Sequence, residues 1–283
     1  MTAVIAGLTV ACIWTVATIL SARASRGIGA PSTLAAVMVV GLIATIPLVL
    51  TAPAGPPDAT EYLPWLLLAG GANVLGLLLN YTALTRGNVS IVAPITATEG
   101  AIAATIAILV GEPVTAALVV ALTVVVIGVV LTAWGPEGDA ESGRPGGPVF
   151  LLLAATSAVL FGSALYAVGH ASQFVPSAWI VASGRILGTL LVALPLILSG
   201  RFRMTRAILP IVVICGLAEV AGFLTITWGA RESIAITSVL SSQFAVLVPL
   251  VSMVVFKERM LRHQLLGAAL TGLGVGAVTL AQL

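Results

Sequence analysis

Twenty residues from Thr2 to Ser21 carry no charge, and charge-poor stretches of that length recur to the end of the chain with short polar breaks between them. About 20 apolar residues in a helix are enough to cross the hydrocarbon core of a bilayer. Hydropathy and helix breakers delimit ten such spans: Thr2–Ser21, Pro31–Thr51, Pro64–Leu84, Ile91–Val110, Val114–Trp134, Val149–Gly169, Ser177–Leu198, Ala207–Trp228, Ala235–Phe256 and Arg262–Ala281. No water is available inside a bilayer to satisfy the backbone, so these runs fold as helices. They are too long and continuous for the alternating strands, about ten residues each, of a membrane barrel. Only 8% of residues are charged and 59% are hydrophobic, whereas soluble domains carry roughly a quarter charged residues. The expected class is an all-α integral membrane protein. The first run has no basic lead-in or cleavage site and reads as a retained helix rather than a signal peptide. Cys12 and Cys215 lie inside apolar runs and imply neither a disulfide nor a metal site.

The one long polar interruption, "GPEGDAESGRPGG" from Gly135 to Gly147, falls at the midpoint and divides the chain into residues 1–134 and 149–283, with 135–148 as a linker. At an offset of 146 residues the two halves share features. Gly76 meets Gly222, Asn73 meets Glu219, Gly128 meets Gly274 and Glu112 meets Glu258. Together these matches predict an internal repeat of five helices. Five is odd, so the second copy enters the membrane from the opposite side, giving the inverted repeat of many transporters with a site near the midplane.

Lys and Arg give an orientation. Arg23, Arg26, Arg86, Arg144, Arg201, Arg203, Arg206, Lys257, Arg259 and Arg262 fall on one expected side, and Arg231 alone falls on the side of the termini. The positive-inside rule then predicts both termini outside a cell (inner) membrane and the linker in the cytoplasm.

Three ionisable residues lie deep in spans: Glu99 in the fourth, Arg185 in the seventh and Glu219 in the eighth. Such groups cost at least ~2.5–3.5 kcal/mol on insertion scales and are functional candidates by default. Arg185 and Glu219 sit at similar depths in consecutive helices and are expected to pair, either as a structural bridge or beside a substrate. Glu99 has no cationic neighbour in sequence. A buried unpaired carboxylate favours its neutral acid, which can exchange a proton or be ionised by an arriving cation; the bland alternative is an acid bonded to Thr96, Thr98 or backbone. Pro94 is expected to kink this helix.

Trp14, Asn73, Asn80, Tyr81, Tyr166, Ser241, Ser242 and Gln243 are further candidates to line a cavity. Trp14 is mid-span, whereas Trp65, Trp134, Trp179 and Trp228 sit near span ends as an interfacial belt would. Glu112 and Glu258, in turns after the fourth and ninth spans, are expected to cap or anchor the following helix. Ala268, Gly272 and Gly276 form a small-residue face on the tenth helix, for packing within a monomer or between two protomers of a homodimer.

"NYTALTRGNVSIVAPITATEGAIAATIAILVGEPVT" and its second copy, "ITWGARESIAITSVLSSQFAVLVPLVSMVVFKERML", resemble the signature of EamA-type members of the drug/metabolite transporter superfamily. The resemblance covers nearly the whole chain. It implies a ten-helix inverted repeat and alternating access for small metabolites or drugs, without nucleotide hydrolysis. Arg185 fits the arginine that members often carry in the seventh helix, while the second helix has only apolar residues around Val40. Trp14 is followed by Thr15 where members often have Trp-Gly, Glu99 is not part of the general signature, and many members are expected to have cytoplasmic termini.

The expected function is therefore a secondary transporter, an exporter of a small metabolite or amphipathic compound, driven by protons and without a cofactor. The alternative is a channel or assembly subunit, although no repeated filter or charge ring is present. An intramembrane enzyme would need a catalytic or metal cluster, and His170 and His263 both lie at span ends. No Walker motif or basic nucleic-acid face appears.

Overall fold

The computed structural model describes residues 1–53, 59–87, 89–133, 149–255 and 261–280. All regular elements among them are helical. In the first half these are α1 (Thr2–Ile28), α2 (Ala30–Thr51), α3 (Ala59–Arg86), α4 (Val89–Thr96), α5 (Glu99–Leu109) and α6 (Ala116–Ala133). In the second they are α7 (Val149–Ala171), α8 (Ser177–Gly188), α9 (Leu194–Leu198), α10 (Leu209–Ala230), α11 (Ile234–Ser241), α12 (Phe244–Val255) and α13 (Arg262–Leu280). A π-helical turn, Thr189–Ala193, joins α8 to α9. Only Gly29 separates α1 from α2, at φ 87°, a left-handed conformation that a side chain would strain.

Six helices among the described residues are long and apolar enough to cross a membrane: Thr2–Ile28, Ala30–Thr51, Glu61–Arg86, Val149–Ala171, Ser177–Leu198 and Leu209–Ala230. The remaining four expected spans contain shorter apolar helices, Glu99–Leu109, Val119–Gly128, Ile234–Val248 and Leu265–Gly274. Large apolar side chains such as Ile43, Leu50, Leu109, Leu152, Leu191 and Leu198 face outward. Exposed apolar surface on this scale suits lipid and not water.

The fourth and ninth expected spans are broken near their middles, at Ala97–Thr98 and at Ser242–Gln243. Pro94, expected to kink the fourth span, lies inside α4, which runs on to Thr96 before the break. At both interruptions side chains bond to carbonyls of the preceding turn. Thr98 Oγ1 donates to Ile95 O at 2.8 Å. In the other half Ser241 Oγ donates to Ser238 O, while Ser242 Oγ and Gln243 Nε2 both donate to Val239 O. The backbone N–H groups of Thr98 and Gln243 then turn back three residues, to Ile95 O and Leu240 O.

Packing is reciprocal between the halves. α3 lies on α7 as α1 lies on α10, and α3 on α8 as α10 on α2. α5 meets α11, α4 meets α12, α2 meets α8 and α6 meets α13. The glycines that match at the 146-residue offset make these approaches possible. Added Cβ atoms at Gly76 and Gly222 would lie 2.7 Å from Phe161 and 2.5 Å from Trp14, and at Gly128 and Gly274 they would lie 2.3 Å from Thr271 and 2.6 Å from Val125. Gly100 marks the crossing of the broken helices, where a Cβ would stand 2.3 Å from Ser238 O.

Cross-links sort the bundle into two ends. At one, Arg26 donates to Leu84 O and Gly87 O, and Arg203 N donates to Ser32 Oγ. At the other, Met1 pairs with Glu232, whose carboxyl this hydrogen bond holds below the usual carboxylate range. Arg231 Nε donates to Ser172 O there, and Trp179 Nε1 to Pro53 O. Glu112 also acts at this end, but not on the helix that follows it. It accepts from Ser233 Oγ and Ala235 N, at the N-terminus of α11 in the other half. The small-residue face of the tenth span is described only at Gly272. Gly272 is exposed with nothing within 4 Å, and α13 packs on α6 through Thr271 and Gly274. The side chains of Ala268 and Gly276, together with Trp134, the 135–148 linker with Arg144, Lys257, Glu258 and Arg259, lie outside the described residues.

Gly128→Val is expected to lower the stability of the detergent-solubilised protein by about 1–3 kcal/mol through overpacking. Gly272→Ala should leave it unchanged or slightly raised, and paired thermal melts read both.

Candidate functional site

Helical period concentrates polar groups on one interior face. On α1, Trp14, Thr18 and Ser21 follow one another at spacings of four and three, and on α3 Asn73, Leu77, Asn80 and Tyr81 do the same. With Thr96 and Glu99 from the broken helix, Phe161 and Leu165 from α7, Glu219 and Phe223 from α10, and Phe244 from α12, they line a cavity of about 50 Å³. Apart from Thr18, these residues are buried. The cavity reaches from the helix break toward the Arg26 end.

Glu99 opens α5 beside the break and is 3% exposed. Its first-turn position lets the positive end of that helix face the carboxylate. Neither nearby hydroxyl serves it, because Thr96 Oγ1 donates to Asn80 Oδ1 at 3.1 Å and Thr98 Oγ1 is taken by Ile95 O. Among the described residues no hydrogen bond or ion pair reaches the Glu99 carboxylate.

Arg185 and Glu219 meet, as their depths suggested. Nη2 lies 3.5 Å from Glu219 Oε2, Nη1 is 3.6 Å from Met38 Sδ, and the guanidinium carbon stands 5.4 Å from the Phe223 ring centroid. The arginine stem passes Gly41, where a Cβ would come within 2.8 Å of Cδ. Arg185 lines a smaller neighbouring cavity with Gly70, Asn73 and Phe223, so its charge stands behind Glu219.

Trp14 packs on Phe223 and Phe244 with centroids 5.9 and 6.2 Å apart. Four expected lining positions fall elsewhere. Tyr166 points toward the end bearing Met1, where its ring packs near Trp65 and it lines a separate cavity with His170. Gln243 Nε2 and Ser241 Oγ donate to carbonyls at the helix break, Gln243 Oε1 is buried without a partner, and Ser242 lines a small space behind the break. Sequence reasoning missed Thr18, Ser21, Phe161, Phe223 and Phe244. Extending the helical spacing from Trp14 would have found the first two, and Phe161 is marked only by the glycine it packs against.

Arg185→Gln alone should cost about 3–5 kcal/mol, since it strands a buried carboxylate. The pair Arg185→Met with Glu219→Leu should recover most of that loss, as read by thermal unfolding in detergent.

A helical bundle with outward-facing apolar walls and a buried cavity beside interrupted helices is that of a multi-pass membrane protein. Residues 1–134 match the EamA-like transporter family, which bears out the resemblance seen in the residues. One solved structure, "Crystal structure of protein", shares the fold over 98% of this chain and 96% of that chain, with a TM-score of 0.72 at 22% identity. A search of curated proteins finds no match.

Proposed function

We propose that the protein is a proton-coupled secondary transporter that exports a small metabolite or amphipathic compound by alternating access. Ten spans form two inverted five-helix repeats, residues 1–134 and 149–283, joined by the linker at 135–148. The reciprocal packing of the halves supports this reading, as do the two broken helices at equivalent positions, a device by which transporters build midplane sites. The Arg26 end, which also carries Arg23, Arg86, Arg201, Arg203 and Arg206, faces the cytoplasm of a cell membrane under the positive-inside rule. Both termini then lie outside.

The observation that carries the proposal is the Glu99 carboxylate, buried and without a partner among the described residues at the crossing of two interrupted helices. An intramembrane acid that spends neither oxygen on structure is available for protons. Glu99 takes a proton from one side and releases it on the other as the halves rock, and the substrate moves in exchange.

Proteoliposomes containing a pH-sensitive dye test this. Opposing gradients of amino acids, nucleosides, organic anions and organic cations should reveal at least one compound that drives protons the other way, and Glu99→Gln should abolish that coupling. Folded protein that moves no proton with any compound would sink the transporter reading in favour of a channel or assembly subunit.

A further inference from the structure

The arginines at the Arg26 end are not alike. Arg26 is spent on the Leu84 and Gly87 carbonyls, and Arg86 sits in the last turn of α3, where the negative end of the helix answers it. Arg201, Arg203 and Arg206 lie in the connection from α9 to α10, with exposed side chains. Among the described residues none of the three makes a side-chain hydrogen bond, ion pair or ring contact. Every described Asp or Glu stands mid-bundle or at the Met1 end, so no described acid offsets them.

The connection is built to present these groups. Residues 201–205 lie outside any helix, and burial alternates along them: Arg201, Arg203 and Thr205 are exposed, while Phe202 and Met204 pack on the core. Alternate side chains of an extended chain point to opposite sides, so the two core anchors turn Arg201 and Arg203 outward together. The backbone is fixed along its length. Arg201 N donates to Leu196 O, Arg203 N to Ser32 Oγ on α2, and Leu209 N to Thr205 O. Arg206 stands just before α10, whose first turn has no acid and no side-chain cap, so the positive end of that helix adds to the field.

Apolar surface flanks this charge. Leu191, Leu194, Ile197 and Leu198 face outward before the connection and Leu209 after it, with Leu198 77% exposed. A ligand that satisfies both surfaces carries an anionic head and a hydrocarbon body. We propose that the connection at 201–206 binds the headgroup phosphate of an anionic phospholipid, whose acyl chains lie along the outward-facing leucines before it. Guanidinium forks match phosphate oxygens two at a time. Basic side chains at a membrane surface are attracted to anionic lipids, whereas a choline headgroup brings a cation of its own against the arginines. A soluble phosphate ester would leave the leucines without a partner. The assignment requires only that the bundle sits in a bilayer, and it holds whether or not Glu99 carries protons.

Native mass spectrometry of the purified protein in mild detergent, titrated with phosphatidylglycerol and phosphatidylcholine of the same acyl chains, tests this. The expected result is a first phosphatidylglycerol preferred over phosphatidylcholine by at least about tenfold. Arg201→Gln with Arg203→Gln should remove most of that preference, and Arg206→Gln alone should cost up to about fivefold. Removing two charges elsewhere at the same end, by Arg23→Gln with Arg86→Gln, should leave it nearly intact. Arg201→Lys with Arg203→Lys keeps the charge without the fork and should retain the preference in part. Thermal melts establish that each variant is folded, and stabilisation by phosphatidylglycerol should be lost in the first pair only. Equal retention of the two lipids would overturn the assignment. So would equal losses in the two Gln pairs, the signature of diffuse attraction to a basic surface. Displacement of phosphatidylglycerol by millimolar glycerol 3-phosphate would overturn it in favour of a soluble phosphate ester.

Discussion

The centre of this molecule depends on two helices being interrupted inside a medium that tolerates no loose backbone. A break in a lipid-facing helix leaves donors and acceptors without partners at a cost of several kcal/mol each. Here side chains at the breaks supply partners to the backbone. Thr98, Ser241, Ser242 and Gln243 bond to carbonyls one turn back, and the displaced N–H groups find partners three residues away. Because both breaks lie at the crossing of α4–α5 with α11–α12, each is covered by the other half rather than by lipid. Gly100 allows that contact, with the Ser238 carbonyl where its side chain would be.

The break has an electrostatic consequence. It starts a new helix at Glu99 in mid-bundle, so a carboxylate that would be costly in hydrocarbon sits at a helix N-terminus facing a polar cavity. The nearby hydroxyls are already committed, and the buried arginine is spent on Glu219. What remains is an acid whose charge is answered by nothing fixed among the described residues. Arg185 and Glu219, by contrast, answer each other, and Phe223 separates the guanidinium from the cavity.

The halves hold together at both ends through contacts that a rocking motion would have to exchange. Glu112 reaches across to the first turn of α11, so the turn that closes one broken helix anchors the start of the other. Close contacts between halves include glycine against ring, Gly76 with Phe161 and Gly222 with Trp14. Both rings also line the cavity, so the packing that joins the halves shapes the space between them.

Much of this was legible in the residues alone. Hydropathy marks membrane segments because each residue's transfer from water is a local property, and Glu99, Arg185 and Glu219 stand out for the same reason. The 146-residue offset is visible because glycine at a close helix approach is hard to replace. Tyr166, Gln243 and Ser242 were misjudged because polarity within a span does not say which way a helix is turned. Pro94 marks an expected kink in sequence because a missing N–H is visible there, while the break at Ala97–Thr98 carries no comparable signal. By itself the sequence determined the medium, the apolar segments and the three buried charges. The rotation of each helix about its axis and the register between helices come from side-chain packing across distant segments. Only the tertiary structure therefore decided that Thr96 would turn to Asn80, that Arg185 would stand behind Glu219, and that Glu99 would face the cavity alone.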